Sequence, residues 1–283
     1  MPMALGSIII AAHNEQAVMA RSLTSLHPLA VKGIVKVVVV CNGCTDETST
    51  VARGFPGVTV IDLAVASKTA ALRAGDRVVS AGPRLYLDAD VDITAEAVRA
   101  LMRALGDGGA VAGRPPVEFD THLAVWSVRR WYEIRRLLPS ITGALWGAGA
   151  YGLSQRGRAM FDEFPEIVSD DLFIHSLFTA DEVVIVPTDP VVVHTPRSLE
   201  ALLRVLVRTY RTQGEVDRAA PQGGMSSGQS RQLREIAAVV LRRPWLVGSA
   251  AIYVGIILRA RVLARESSGV TRWERDESSR TVG

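Results

Sequence analysis

The sequence predicts an α/β protein built on a mostly parallel central sheet. Short β-branched runs alternate with amphipathic stretches through the first hundred residues, the signature of stacked βα units. The runs are almost continuously apolar, as strands covered by helices on both faces must be. Polar residues then cluster just past the runs, where such a sheet presents its strand ends.

Four strands are expected at 7–12 (SIIIAA), 34–41 (IVKVVVVC), 58–63 and 84–87. Helices are expected at 15–26, 48–53, 68–80 and 94–105. Thr45 and Asp46 ahead of Thr48 give the second of these a start signal. Residues 121–138 read as an amphipathic helix with aromatic and basic character from Trp126, Arg129, Arg130, Trp131, Arg135 and Arg136. A short buried helix is expected at 171–178, strands at 183–186 and 191–194, and an arginine-bearing helix at 198–213. Gly, Ser, Pro and Gln dominate 214–230, the composition of a flexible linker. This divides the chain into a catalytic domain over 1–213, the linker, and a helical, membrane-associated segment over 231–283.

The chain has 283 residues, of which 48% are hydrophobic and 22% charged, enough to bury a core and to exclude wholesale disorder. Net charge is +3, too weak a balance for a nucleic-acid binder. Only Lys32, Lys36 and Lys68 are lysines among the 32 basic residues, which draws attention to Lys68. Two cysteines exclude a disulfide framework and suggest a reducing compartment. The start, MPMALGSIII, lacks the basic segment of a cleaved signal, so a cytoplasmic location is expected.

Asp88 and Asp90 follow the fourth strand, one residue apart. Two acids so spaced can share a hard divalent cation that also takes oxygens from a diphosphate, although Asp is also common in turns after strands. The neighbourhood favours a site. His13, Asn14 and Glu15 after the first strand, and Asn42, Gly43, Cys44, Thr45 and Asp46 after the second, face the same rim, which suits a nucleotide. Further on, Ser169, Asp170 and Asp171 precede the apolar DLFIHSLF; alone, they read as a helix cap.

In order, AAHNE, VCNGCTDET, SKTAALRAG and LDADVDIT resemble the GT-A glycosyltransferases of the large inverting family 2, over roughly 7–213. The resemblance implies a GT-A fold and metal-dependent inverting transfer of a sugar from a nucleoside-diphosphate donor to an acceptor hydroxyl, small-molecule or lipid-linked, with Mn2+ or Mg2+ as cofactor. It places Glu15, Asn42, Asp46 and Lys68 where the family handles the base, ribose or phosphates of the donor, and Asp88 and Asp90 as metal ligands on the diphosphate. Cys41 and Asn42 stand where many members carry an acidic pair. It also makes Asp170 and Asp171 the family's acidic pair, with Asp171 the general base that takes the acceptor proton and Asp170 supporting it or binding acceptor.

His194, at a strand end, is a candidate third metal ligand and equally a histidine bonded to backbone. Arg197, Arg204, Arg208 and Arg211 lie where family members often touch phosphate or acceptor, and the last three share a helix face. Residues 210–213 read YRTQ, without the full motif of processive synthases, so a non-processive enzyme is expected.

Three other patterns compete. Cys41 and Cys44 form a CxxC that also occurs in redox and zinc sites. Gly147, Gly149 and Gly152 spell GxGxxG, but without a strand before them they read better as an acceptor-site loop than as a dinucleotide fingerprint. The uncharged run 244–258 is bracketed by arginines; at 15 residues it is short of the ~20 needed to cross a bilayer and suits a membrane-surface helix or a buried core helix. The alternatives to a transferase are a catalytically silent nucleotide-sugar binding module and a dinucleotide-dependent oxidoreductase.

Overall fold

Strands β1 (Ser7–Ala12) and β2 (Lys36–Asn42) form the centre of the sheet because their side chains are apolar on both faces. Ile8 and Ile10 join Val37 and Val39 in one core, while Ile9 and the pair Val38 and Val40 face the other side. The computed structural model describes residues 4–219 and 228–266. Strands β3 (Val58–Leu63) and β4 (Arg84–Asp88) flank this centre, and helices α1 (Gln16–Val31), α2 (Thr48–Arg53), α3 (Lys68–Val78) and α4 (Ala95–Ala104) connect and cover them. Side-chain caps set two of these helix starts: Ser67 Oγ accepts from Ala70 N at 3.2 Å, and Thr94 Oγ1 from Ala97 N at 3.1 Å.

After α4 come β5 (Ala112–Arg114), β6 (Val117–Asp120), α5 (Trp126–Arg135), α6 (Pro139–Thr142), β7 (Ala150–Leu153), α7 (Gln155–Arg158), α8 (Asp170–Ser176), β8 (Val183–Ile185), β9 (Val191–His194) and α9 (Leu199–Ala219). The main sheet has seven strands in the order β3-β2-β1-β4-β7-β5-β8, and β6 pairs with β9 in a separate ribbon. β7 runs antiparallel to both β4 and β5, and the other ladders of the sheet are parallel. Strands β5, β6 and β7 are absent from the sequence expectation. At three or four residues each they are too short to show a period, and their neighbours in the sheet decide them.

The parallel register aligns the strand ends. Ala12 lies beside Cys41, and Ala11 beside Asp88, so the loops after β1, β2 and β4 open on one rim.

Helix α9 continues to Ala219, beyond the expected end at 213, and α10 (Gly228–Arg242) begins before 231. The expected linker over 214–230 is therefore helical at both ends, and 220–227 lie outside the described residues, as does the tail after 266. A short turn, Pro244–Leu246, leads into α11 (Val247–Glu266), which outruns the uncharged stretch 244–258 by eight residues.

Helix α11 lies against α5 and α9 and shares a second core with them. Trp131 stacks on Tyr253 at 5.1 Å, and Ser249 Oγ donates to Glu133 Oε2 at 2.8 Å. The arginine-aromatic stretch of α5 is thus divided: Trp131 is buried and Arg130 and Arg135 partly so, whereas Arg129 and Arg136 are exposed. Arg135 lies over the rings of Phe119, Trp131 and Trp146, while Trp126 stays exposed. Tyr253, 1% exposed, joins this core to Gln232 of α10, whose Nε2 donates to the phenol at 3.0 Å. Tyr253→Ala should therefore lower unfolding free energy by about 3–5 kcal/mol in urea denaturation. Unchanged stability would mean that α11 is not docked in solution.

Candidate active site

Lys68 stands at the first turn of α3, where the Ser67 cap aims it at the rim. Its Nζ is 2.7 Å from Asp88 Oδ1 and 2.8 Å from Asp170 Oδ1, so one ammonium joins the end of β4 to the start of α8. Burial would pull the Lys68 pKa down, but Asp170, Asp88 and Asp171 outweigh it and hold the ammonium charged above the ordinary lysine range. Asp170 is buried, and its other oxygen accepts from the Tyr151 hydroxyl at 2.8 Å. Tyr151 in turn stacks on Tyr86, with ring centroids 5.0 Å apart.

Asp171 is held by two main-chain amides: Gly147 N donates to Oδ2 and Leu172 N to Oδ1, both at 2.8 Å. Burial and the neighbouring Asp170 still raise its pKa, against Lys68 and these amides. Desolvation, with Asp170 and Asp90 close by, likewise raises the Asp88 carboxyl to about 6 despite Lys68. Asp88, Asp170 and Asp171 thus gather around the ammonium of Lys68.

The glycine loop explains how acids from two distant segments meet. Gly149 O accepts from Asp88 N at 2.7 Å, while Gly147 N donates to the Asp171 carboxylate, so three residues hold both the main chain of Asp88 and the side chain of Asp171. Both glycines have positive φ, +74° and +61°. A Cβ on Gly149 would lie 2.4 Å from Val91 Cγ2 and 3.1 Å from Asp88 Oδ2. The GxGxxG pattern is therefore the approach to antiparallel β7, not a turn after a first strand, and the dinucleotide reading has no support in its position.

The expected donor residues sit on the same rim, held by the loops. Glu15 is buried at the start of α1, and its amide donates to Thr48 Oγ1 at 2.7 Å. Asn42 Nδ2 crosses from β2 to donate to Ala12 O at 2.8 Å, and its Oδ1 is buried without a hydrogen-bond partner. Asp46 accepts from Gln16 N at 3.2 Å and Thr48 N at 3.1 Å, tying the starts of α1 and α2 together. Cys41 is buried and its thiol is pushed up to about 12 by desolvation, with Cys44 and Asp62 adding to it, so Cys41 is poorly suited to thiolate chemistry.

His194 is not placed on the Asp88–Asp90 pair. Its Nδ1 lies 3.1 Å from Asp120 Oδ2 and its Nε2 3.0 Å from Asp92 Oδ2, because β9 pairs with β6 opposite Asp120 and bridges to Asp92. Among the described residues no three His, Cys, Asp or Glu side chains converge as a ready metal cage, so Asp88, Asp90 and His194 do not form one as they stand. Asp88 and Asp90, two hard carboxylates one residue apart at the end of β4, nevertheless fit a divalent ion that completes its shell from a diphosphate. Arg204 is exposed and pairs with Glu200 one turn earlier, so this point of the arginine face is solvated. Thr212 of α9 reaches the acidic motif, its hydroxyl 2.7 Å from Ser169 Oγ.

Sequence reasoning did not find Tyr151 or the braces on the DAD segment. Arg21 Nε donates to Asp92 Oδ1 at 2.8 Å and Ser22 Oγ to Ala89 O at 2.5 Å, both from the second turn of α1. The third aspartate of DADVD was the one available hint.

The family model for glycosyl transferase family 2 matches residues 7–163, and the chain belongs to that family, with a GT-A fold. Similar folds occur in the mannosyltransferase PcManGT from Pyrobaculum calidifontis in complex with GDP-Man and Mn2+ (TM-score 0.60, 16% identity, covering 95% of this chain and 77% of that one). They occur also in glucosyl-3-phosphoglycerate synthase from Mycobacterium tuberculosis with Mn2+, UDP and glucosyl-3-phosphoglycerate (0.56, 18%, 78% and 81%), and in S. aureus TarS 1-349 with UDP (0.50, 14%, 96% and 94%). No curated protein matches the chain by sequence.

Gly149→Ala combines a left-handed backbone with a blocked Cβ position and should cost about 1–3 kcal/mol of stability. Thermal denaturation checks this; a midpoint equal to wild type would mean that the loop does not pack against Val91 and Asp88 as described.

Proposed function

We propose that the chain transfers one sugar at a time, with inversion, from a nucleoside-diphosphate sugar to an acceptor hydroxyl, small-molecule or lipid-linked. In this reading the reaction takes place in the cytoplasm, with the protein peripheral on the inner face of the cell membrane. The observation that carries this reading is Asp171, fixed by two amides and made more basic by burial, in one cluster with Asp170, Lys68 and Asp88. A buried carboxylate with a raised pKa is a better proton acceptor, and inverting transfer needs such a base at the acceptor oxygen as it attacks the anomeric carbon.

Asp170 keeps Lys68 in place and is itself oriented by Tyr151. Lys68 holds a fixed positive charge beside Asp88, where the leaving diphosphate would gather negative charge. Asp88 and Asp90 are the residues that would hold Mn2+ or Mg2+. When bound, such an ion would neutralise the diphosphate as a Lewis acid. Glu15, Asn42 and Asp46 line the donor side of the rim. Mn2+ and nucleotides in the complexes of similar fold support this reading of the donor side.

Asp171→Asn should retain nucleotide binding while sugar transfer falls by about 10²–10⁴-fold. A thermal-shift panel of UDP, GDP, dTDP and CDP with and without Mn2+, run beside a transfer assay, checks both. One nucleoside diphosphate should raise the midpoint of wild type and variant alike, as any ligand of the native state does. If none does so for wild type, the donor site is misassigned. If donor binds without turnover, and Asp171→Asn changes nothing, the chain is a silent binding module.

The pH dependence follows from the sign of the Asp171 shift. A base must be unprotonated, and a raised pKa is crossed early on acidification, so kcat/KM should fall on the acid side at a pH above the ordinary carboxylate range. A pH-rate profile flat through that range would rule Asp171 out as the base.

A further inference from the structure

Helix α11 is apolar on two opposite faces, and the protein covers one of them. Tyr253, Ile256, Ile257 and Ala260 are buried against α5 and α9. Val247, Ala251, Gly255, Leu258 and Val262 recur at three- and four-residue spacings on the exposed face. Just before α11, Trp245 in the turn is 75% exposed and Leu241 near the end of α10 82% exposed.

By length and composition alone Pro244–Glu266 could cross a membrane. Its packing argues otherwise. A span needs lipid around it, whereas one side of α11 is locked onto α5 by the Trp131–Tyr253 stack and the Ser249–Glu133 hydrogen bond. Drawing α11 into a bilayer would either strip this core or drag the arginines of α5 in with it.

Charge identifies what covers the ridge. Residues 231–266 contain seven arginines and two glutamates, a net +5 in a chain whose total is +3. Glu235 is turned inward, where it accepts from Ser140. Arg242, Arg243, Arg259 and Arg265 are exposed along the ridge. Two copies meeting ridge to ridge would bring these arginines together, whereas an anionic lipid surface complements them. Trp245, with an apolar body and an N–H, suits the headgroup boundary.

We infer that α10, the Pro244–Leu246 turn and α11 lie flat in the interface of an anionic bilayer, with Leu241, Trp245, Val247, Leu258 and Val262 in the acyl boundary and the flanking arginines on the headgroups. This rests on the membrane contact of the proposed function and extends it to one face and one lipid charge. It needs none of the transfer chemistry.

Co-sedimentation of the full chain with phosphatidylcholine vesicles, alone or mixed with phosphatidylglycerol, tests it without donor or turnover. The chain should pellet with the anionic vesicles, less so at high salt. Leu241→Ser with Trp245→Ser, and separately Arg242→Gln with Arg243→Gln, should each weaken binding on the order of tenfold or more. These side chains are exposed, so the thermal midpoint should not move, and a matching midpoint confirms folded variants. Three results would each overturn the inference: no pelleting with anionic vesicles at low salt, variants that bind like wild type, or a vesicle-free dimer that the Leu241→Ser, Trp245→Ser variant converts to monomer. Resistance of the bound protein to alkaline extraction would overturn it too, by showing a span. Loss of vesicle binding would leave the donor-binding panel unaffected, so the two readings fail separately.

Discussion

The site depends on one ammonium shared by two carboxylates from distant parts of the chain. Lys68 meets Asp88 at the end of β4 and Asp170 at the start of α8. Carboxylates brought this close in a partly dry crevice repel one another, and each loses hydration that a partner must replace. A lysine held by the capped start of α3 supplies that partner and fixes how far apart the two halves of the site lie. The near absence of other lysines makes the choice visible: a compact point charge can sit between two carboxylates where a planar guanidinium would impose its own fork geometry.

The antiparallel strand β7 matters for the same reason. Were it parallel to β4, the segment before it would enter at the opposite edge of the sheet. Running antiparallel, it delivers Gly147 and Gly149 to the rim where β4 ends. The loop then gives Asp88 a carbonyl and Asp171 an amide within three residues. Glycine is required there because the backbone is left-handed and the neighbouring atoms leave no room for a Cβ at Gly149.

The second core, around Trp131 and Tyr253, is built differently. It holds arginine against aromatic faces and joins α11 to the catalytic half through α5 and α9. Helix α9 links the two regions, with leucines in that core and Thr212 against Ser169 beside the acidic pair.

The sequence by itself determined the βα half of the protein. Ile8–Ile10 and Val37–Val40 are apolar at every position, which only a strand buried on both faces requires, and the polar residues after them must then fall on one rim. Asp88, Asp90, Asp170 and Asp171 are legible in the sequence as candidate acids. Only the tertiary structure decided their partners, because Lys68 with Asp170, Gly147 with Asp171 and His194 with Asp92 and Asp120 are contacts between segments far apart in sequence, with no local period to announce them. The same holds for β5, β6 and β7, which exist because a neighbouring strand offers them hydrogen bonds, and for α11, whose two apolar faces look alike in sequence until α5 covers one of them.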